Sequence, residues 1–583
     1  MTIGKWLIDI QTRPAGCAIK YKQDSGWNEI TWSQYLDKTV SLADQIRRLT
    51  ENSADKSKVT KKIHIGILSS TRWEWSIVDL AILGSGLVTV PFYPNMSDSD
   101  LLFIINHSDI SFIIVENAAF EKQIERISPQ FERKILVKKF EDLDFETSPS
   151  NEAKDTFFKS CAALNLKDVA TLVYTSGTTG VPKGAVLLHE SIVSEVEEIF
   201  KLVGIKSNFT SLTFLPMAHV MGRIELWGSC FNGHTLAYAE SIDKLKSNLV
   251  DIGPDFLVAV PRIFEKFYAA IMAKVETQPL KQKLFNQAIS VSAEVLKYRE
   301  RREVVPWSLL LQHETLCRVV FAPVKKAFGG KLQFAVSGGA PLSKDLANFF
   351  AYCGIKVLEG YGLTETCAAI AVNTPYNFHP GTVGNPMGDS QIKFAADGEI
   401  LVKSKKVMKE YYKNPEATAA VFVDGYFATG DIGEFTAGGQ LKITDRKKDL
   451  IKTAGGKYVA PQKLENLLKQ DPMIAQVLIH GDQKKFIAAI ISVEEPAVKA
   501  WADAQNIPYS DISEIYQNPA LRLRVQKQIQ KTNSEIANYE AIKKFEIVSD
   551  TWSVENGALT PSLKVKRKFI ESKYAALIVE MYE

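Results

Sequence analysis

Residues 174–185 read YTSGTTGVPKGA. They follow the apolar run Val169-Ala170-Thr171-Leu172-Val173, which has the length and composition of a core strand. The loop then alternates hydroxyl pairs (Thr175-Ser176 and Thr178-Thr179) with Gly177 and Gly180, and Lys183 follows a proline. Glycines let a backbone approach a ligand closely, and successive N–H groups form a concave nest for anions. With four hydroxyl side chains and one lysine added, the natural guest is a polyphosphate. A Walker loop does not fit. The spacing from Gly177 to Lys183 is wrong, and Gly184 stands after the lysine where Ser or Thr must meet Mg²⁺.

Outward from this loop the same pattern recurs. Ile63-His64-Ile65-Gly66-Ile67-Leu68, Val88-Thr89-Val90 and Phe112-Ile113-Ile114-Val115 read as strands, with a helix from Trp73 to Leu83. Phe256 to Val260 runs into Pro261, and Phe334-Ala335-Val336 runs into Ser337-Gly338-Gly339. Alternation of this kind predicts helices on a mostly parallel sheet, where ligands gather at the carboxyl ends of strands. Residues 280–330 predict a solvated helical pair. A second reading makes its basic cluster KYRERR (297–302) a membrane-surface contact. After about residue 445 the chain becomes Lys-rich. It then predicts a hairpin from Gln476–His480 and Phe486–Val493 around Gly481-Asp482, within a small separate α+β domain.

The bulk composition narrows the class. A chain of 583 residues exceeds one domain. Its 70 basic and 67 acidic residues leave a net charge of +3, against nucleic acid as the main partner. The six cysteines form no CxxC pair and no convincing Cys/His arrangement, so a disulfide framework or zinc site is not expected and a reducing compartment fits. Cys367 reads as a packing residue. The N-terminal MTIGKWLIDIQTRPAG does not read as a signal peptide, and no run approaches the ~18 apolar residues of a membrane-spanning helix.

TSGTTGVPKG resembles at every position the phosphate loop of the AMP-forming adenylating superfamily, which includes acyl-CoA synthetases, luciferases and nonribosomal peptide adenylation domains. Further motifs follow in the family's order. Gly360-Tyr361-Gly362-Leu363-Thr364-Glu365-Thr366 resembles the second core motif. Tyr361 offers a flat face for adenine, Thr364 a hydroxyl for the α-phosphate, and Glu365 an oxygen for Mg²⁺. Ser337-Gly338-Gly339-Ala340-Pro341 matches the turn beside adenine. Tyr426-Phe427-Ala428-Thr429-Gly430-Asp431 resembles the motif whose aspartate takes both ribose hydroxyls, which suits a carboxylate's two acceptors. Asp445-Arg446-Lys447-Lys448-Asp449 resembles the junction to a small C-terminal domain, with Arg446 on the ribose and Lys448 at the hinge. Gly455-Gly456-Lys457 matches a loop that serves the thioesterification step. Near the end, Lys564-Val565-Lys566-Arg567 fits the pattern Gly-Lys-[Ile/Val]-x-Arg, with Leu563 in place of the glycine. The resemblance assigns adenylation to Lys564, with Lys566 as the competitor.

The resemblance covers nearly the whole chain and is to long-chain fatty acyl-CoA synthetases in particular. It is carried by Leu215-Pro216-Met217-Ala218-His219-Val220 with Arg223, by Val260-Pro261-Arg262-Ile263-Phe264-Glu265-Lys266, by the 280–330 stretch, and by Val407 to Pro415. Gly222 stands where this branch often has glutamate, and Glu410 where glycine is common. His219 is expected near the reacting carboxylate; the competing reading is a buried histidine bonded at a strand end.

The resemblance implies an α/β fold. Its large N-terminal domain (1–445) has αβα-layered sheets and a β-barrel-like subdomain, and its small C-terminal domain (446–583) is mobile and α+β. It implies ATP, Mg²⁺ and coenzyme A, and a fatty acid activated as acyl-AMP before transfer to CoA. It also implies a cytoplasmic protein, at most peripheral at the cytoplasmic face of a membrane, as monomer or homodimer. Two other readings stand: an acyl-AMP ligase loading a carrier protein, and a non-catalytic nucleotide-binding relative. Against decay, Lys183, Glu365, Asp431 and the terminal lysines are all present.

Overall fold

The structure, a computed structural model, describes every residue except 14, 25, 54–62, 176–180, 277–278, 302, 554–555 and 561–563. The described chain divides into two compact units. The first comprises Met1–Ile263, Ile271–Ile392 and Val402–Phe427; the second comprises Phe264–Ala270, Lys393–Leu401 and Ala428–Glu583.

Two sheets build the first unit. One has six strands in the order Leu136–Lys139, Ile110–Val115, His64–Leu68, Val88–Phe92, Val169–Thr175, Lys183–Leu188. The first five are parallel, and the last turns back antiparallel on Val169–Thr175. The other has nine strands, ordered from Asn385–Pro386 through Ala368–Val372, Lys356–Leu363, Phe334–Ser337, Phe256–Ala259, Thr210–Thr213, Thr235–Tyr238 and Cys17–Gln23 to Gly26–Thr31. Its centre is parallel and both edges are antiparallel. The expected α/β alternation is therefore present, and the predicted strands agree with the observed ones to within a few residues. Strands buried on both faces carry near-continuous Val/Ile runs, as Ile113, Ile114 and Val115 do. The helix Trp73–Gly84 is buried along most of its length, as its apolar sequence requires.

A buried polar network joins elements of the two sheets. The Arg223 guanidinium donates to both oxygens of Asp79 at 2.5 and 3.3 Å and to the Thr171 hydroxyl at 2.7 Å. Trp227 Nε1 and the Thr89 hydroxyl donate to the same carboxylate at 3.1 and 2.8 Å. Arg223 and Trp227 lie on the helix Val220–Asn232, which links strands of the nine-stranded sheet. Thr89 and Thr171 belong to the six-stranded sheet.

The 280–330 segment forms three helices rather than the expected pair: Pro279–Glu300, Trp307–Val320 and the short Ala322–Ala327. Pro306 and Pro323 each sit at a helix start, where proline is tolerated. A further five-stranded sheet is built from strands within residues 391–446. In the second unit, Ile474–His480 and Ile487–Val493 form the predicted antiparallel hairpin, and Ile542–Val548 adds in parallel. Helices including Pro461–Leu468 and Pro519–Ser534 cover this sheet around a core of Leu464, Ile479, Ile491 and Val525.

Candidate active site

In the first unit the strand Val169–Thr175 ends at the loop expected to hold phosphate. Ser176, Gly177, Thr178, Thr179 and Gly180 lie outside the described residues. The loop's two flanks are defined: Thr175 and Lys183 are register partners on the antiparallel pair. The returning strand Lys183–Leu188 takes a second antiparallel neighbour, the 409–412 segment. Lys409 N–H donates to Val186 O at 2.9 Å, Val186 N–H to Glu410 O at 3.0 Å, and Tyr412 N–H to Gly184 O at 2.8 Å. That pairing places Tyr411 opposite Ala185.

Tyr411 is the residue that sequence reasoning missed, although the quoted segment contained it. It is buried, and its hydroxyl donates to Glu365 Oε1 at 2.8 Å. Lys183 Nζ lies 5.2 Å from the centre of the same ring, within cation–π range. One side chain thus touches both the lysine of the phosphate loop and the carboxylate of the second motif. Burial, and then the Glu365 charge, push the phenol far above its usual pKa, so it remains a hydrogen-bond donor.

Glu365 sits in a single 3₁₀ turn, Thr364–Thr366, at the end of the strand Lys356–Leu363. The Thr366 hydroxyl accepts from Leu363 N–H at 2.8 Å and donates to Ala368 O at 2.9 Å. Cys367 and Ala368 then adopt φ of 53° and 89°, the left-handed region that residues with a side chain avoid. A buried carboxylate secures the turn after this strained pair, with Glu195 Oε1 accepting from Ala369 N–H at 2.9 Å. The buried Lys406 pairs with Glu198 at 2.6 Å and lies 3.8 Å from Glu195. Gly362 is obligatory: a Cβ there would fall 1.5 Å from the Ala368 carbonyl oxygen. Cys367 is buried, as the packing reading expects. Met408 N–H donates to Glu365 O at 2.6 Å, so backbone as well as Tyr411 fixes the motif.

The Ser337–Pro341 turn and the GYG strand are coupled by Glu359, whose buried carboxyl accepts from Leu342 N–H at 3.0 Å. Burial pushes this carboxyl up to about 8. Gly339 has φ of 79° and, with Ala340, faces solvent. Gly360 and Tyr361 lie on the strand beside Phe334–Ser337, and Tyr361 is largely buried. His219 is half-buried and stands at a helix start, not at a strand end. As the N-cap of Val220–Asn232, its Nδ1 accepts from Met221 N–H at 3.1 Å. Gly222 is explained by packing, since a Cβ there would come 2.5 Å from the Pro216 carbonyl oxygen. Arg223, three residues on, is committed to Asp79.

In the second unit Asp431 and Arg446 are register partners on the antiparallel strands Tyr426–Phe435 and Leu441–Arg446. Arg446 Nε donates to Asp431 Oδ1 at 3.1 Å. The two residues expected on the ribose are therefore adjacent. The neighbouring Asp445 carboxyl is buried and accepts from Arg446 N–H at 2.6 Å. Burial, with the charges of Asp449 and Glu465, raises it to about 7. Lys448 is exposed in the 447–449 turn. Gly455, Gly456 and Lys457 form the tip of a small hairpin between Ile451–Lys452 and Tyr458–Val459, with Gly456 at φ of 76°. Lys564 and Lys566 are both exposed; Lys564 N–H donates to the Thr560 hydroxyl at 3.1 Å, and Lys566 N–H to Ala558 O at 2.9 Å.

One cysteine departs from expectation. Cys317 Sγ lies 3.5 Å from His313 Nδ1, which is 3.1 Å from the Ser292 hydroxyl. The i, i+4 spacing on one helix produces this contact. Burial raises the thiol's pKa and lowers the imidazole's, so both groups remain neutral and the trio does not form an activated nucleophile.

Known proteins match this chain over most of its length. A long-chain-fatty-acid–CoA ligase of Mycobacterium bovis is 31% identical over 574 residues, covering 96% of this chain and 93% of that one. The rat long-chain-fatty-acid–CoA ligase 5 is 30% identical over 557 residues, covering 89% and 80%. The o-succinylbenzoate CoA synthetase of Bacillus subtilis, solved with ATP and a magnesium ion, shares the fold with a TM-score of 0.68 at 20% identity, covering 97% of this chain and 98% of that one. The AMP-binding enzyme family matches residues 10–412 and its C-terminal domain matches residues 448–583; this chain belongs to that family.

Proposed function

We propose that the protein activates a long-chain fatty acid in two half-reactions on one site. The acid's carboxylate attacks the α-phosphorus of ATP, giving acyl-AMP and pyrophosphate; the thiolate of coenzyme A then displaces AMP. The observation that carries this reading is the Tyr411 bridge between Lys183 and Glu365. It brings a cation and a carboxylate, both predicted to face the polyphosphate, onto one buried side chain. The long-chain substrate rests on the relatives' names and on the segments shared with them.

The chemistry asks for charge neutralisation, because an anionic carboxylate must approach a polyphosphate. Lys183 supplies one fixed positive charge at the loop. A unit charge ~4 Å from developing charge is worth roughly 4 kcal/mol at an effective dielectric near 20. Glu365 fits Mg²⁺: one of its oxygens accepts from Tyr411, a carboxylate has a second, and this ion needs only one or two protein carboxylates beside its waters. When bound, the ion offsets phosphate charge. Tyr411 orients the Glu365 carboxylate and shields it from Lys183. Asp431 and Arg446 hold the ribose, and the Gly339-Ala340 turn with Tyr361 holds adenine. Lys564 adds a second cation for adenylation. A hinge at Lys448 exchanges it for the Gly455-Gly456-Lys457 tip when CoA attacks, and domain closure keeps water from the mixed anhydride. His219 lies next to the acyl carboxylate. On this reading the protein lies in the cytoplasm, at most peripheral at the membrane face. No helix among the described residues is long and apolar enough to cross a membrane.

The test is pyrophosphate release by the purified protein with ATP and Mg²⁺, over fatty acids from short to long, with and without CoA. Repeated turnover only with CoA, rising at a defined chain length, is expected. A single stoichiometric burst indifferent to CoA would assign the carrier-protein ligase instead. No release with any fatty acid would overturn the reaction proposed here.

A further inference from the structure

The helix Trp307–Val320 contains no buried residue, yet half of its residues are apolar. Its inner side meets the rest of the first unit. His313 reaches Ser292, Cys317 reaches the Tyr352 carbonyl, and the following Phe321 packs edge-on to Phe285 at 5.7 Å. Its outer side carries Trp307 (79% exposed), Leu311 (57%) and Val319 (69%), and the turn leading into it carries Val304 (92%). Trp307, Leu311, Glu314 and Arg318 fall on one stripe by their spacings of four, three and four.

Charge concentrates on the same segment. Residues 279–331 hold ten basic and four acidic side chains, a net +6, whereas the whole chain is only +3. The remainder of the molecule is therefore net negative. Lys297 and Arg301 share the solvent face where the helix Pro279–Glu300 runs out into the turn with Val304, whereas Arg299 turns toward His313 and Cys317. Lys297 and Arg301 also line a shallow concavity with Ser290, Glu294 and Tyr298. Two cations and two hydroxyls suit a phosphate headgroup.

We propose that the outer face of Trp307–Val320, the Val304 turn and the flanking basic residues form a docking surface for an anionic lipid bilayer. An indole and scattered aliphatics suit shallow insertion at the headgroup level, and lysines and arginines around them suit a negative leaflet. A protein partner would call for a contiguous apolar core with charges at its rim. Here charged side chains, Glu314 and Arg318, are interleaved with the apolar residues instead, and the surplus cations flank them. The surface deepens the membrane attachment in the proposed function and rests on that reading. Vesicle binding reads lipid attachment without turnover, so the two fail separately.

The experiment is co-flotation of the full-length protein with vesicles of phosphatidylcholine alone and of phosphatidylcholine mixed with phosphatidylserine. Binding to the mixed vesicles is expected to exceed binding to the neutral ones by roughly tenfold, and to fall several-fold on raising salt from about 0.1 to 0.5 M. Two exposed-site variants, Trp307→Ser with Leu311→Ser and Lys297→Glu with Arg301→Glu, should each lower vesicle binding at least fivefold. Their thermal unfolding and pyrophosphate release with a soluble medium-chain acid should stay unchanged. No binding by the parent protein, equal binding to both vesicle types, or undiminished binding by both variants would overturn the proposal. So would a dimer, seen by light scattering, that these variants dissociate, because the face would then be a self-interface.

Discussion

Tyr411 shows what a single side chain contributes to the site. A hydrogen bond to a charged acceptor is worth about 1.5–3 kcal/mol when protected from water, and Glu365 is only partly so. Tyr411→Phe keeps the ring beside Lys183 and removes the bond. It should weaken metal loading of the ATP complex roughly tenfold, read directly by manganese paramagnetic resonance, while ATP binding without metal stays near the parent value. Unchanged manganese affinity would remove Tyr411 from the positioning role. Glu225 gives a second residue-scale case. It is fully buried beside Ser211 and Thr213, and burial raises its carboxyl to about 8. A carboxyl whose folded pKa is raised binds its proton more tightly when folded, so stability falls as pH rises from the unfolded value near 4.5 to about 8. Glu225→Gln keeps the shape and removes the titration. It should be more stable than the parent at pH 8 and nearly equal at pH 5, in urea unfolding at the two pH values. A variant equally affected at both would show that this carboxyl does not titrate with folding.

At the scale of elements, the Asp79–Arg223 network decides where the helix after His219 lies. The ion pair is fully buried and joined by Trp227, Thr89 and Thr171. Removing one partner strands the other charge, which typically costs about 3–5 kcal/mol, whereas replacing both with apolar residues costs much less. Asp79→Ala should therefore destabilise the first unit by about that amount in urea, and Asp79→Leu with Arg223→Met should recover much of it. Recovery that fails, or a loss under 1 kcal/mol, would mean that the network is not structural. Arg223 was legible in sequence as part of a family segment, but Asp79 was not. A lone aspartate in an apolar helix has no periodic partner, and its four donors come from two other elements, the strand Val88–Phe92 and the helix Val220–Asn232.

At the scale of the whole molecule, the proposed hinge separates two sets of lysines by step. Lys564→Ala should lower pyrophosphate release roughly a hundredfold or more and leave conversion of supplied acyl-AMP to acyl-CoA nearly intact. Lys457→Ala should do the reverse. Lys566→Ala should spare both, and a collapse of adenylation there instead would move the role to Lys566. These half-reactions are measured separately with pyrophosphate and with synthetic acyl-AMP. The local signals in the sequence were strong because they are local: apolar runs that end in glycine turns, a hydroxyl-rich loop, a motif order along the chain. Gly339 suits its turn through a positive φ, whereas the need for Gly362 comes from the Ala368 carbonyl on the paired strand. The sequence by itself thus determined the α/β class, the strands and the order of the family motifs along the chain. Only the tertiary structure decided that Tyr411 bridges Lys183 and Glu365, that Asp431 faces Arg446 across a hairpin, and that Glu195 and Glu359 brace the motif turns. Those contacts depend on strand register between segments distant in sequence, and register is set by packing over a whole sheet rather than by any residue's own neighbours.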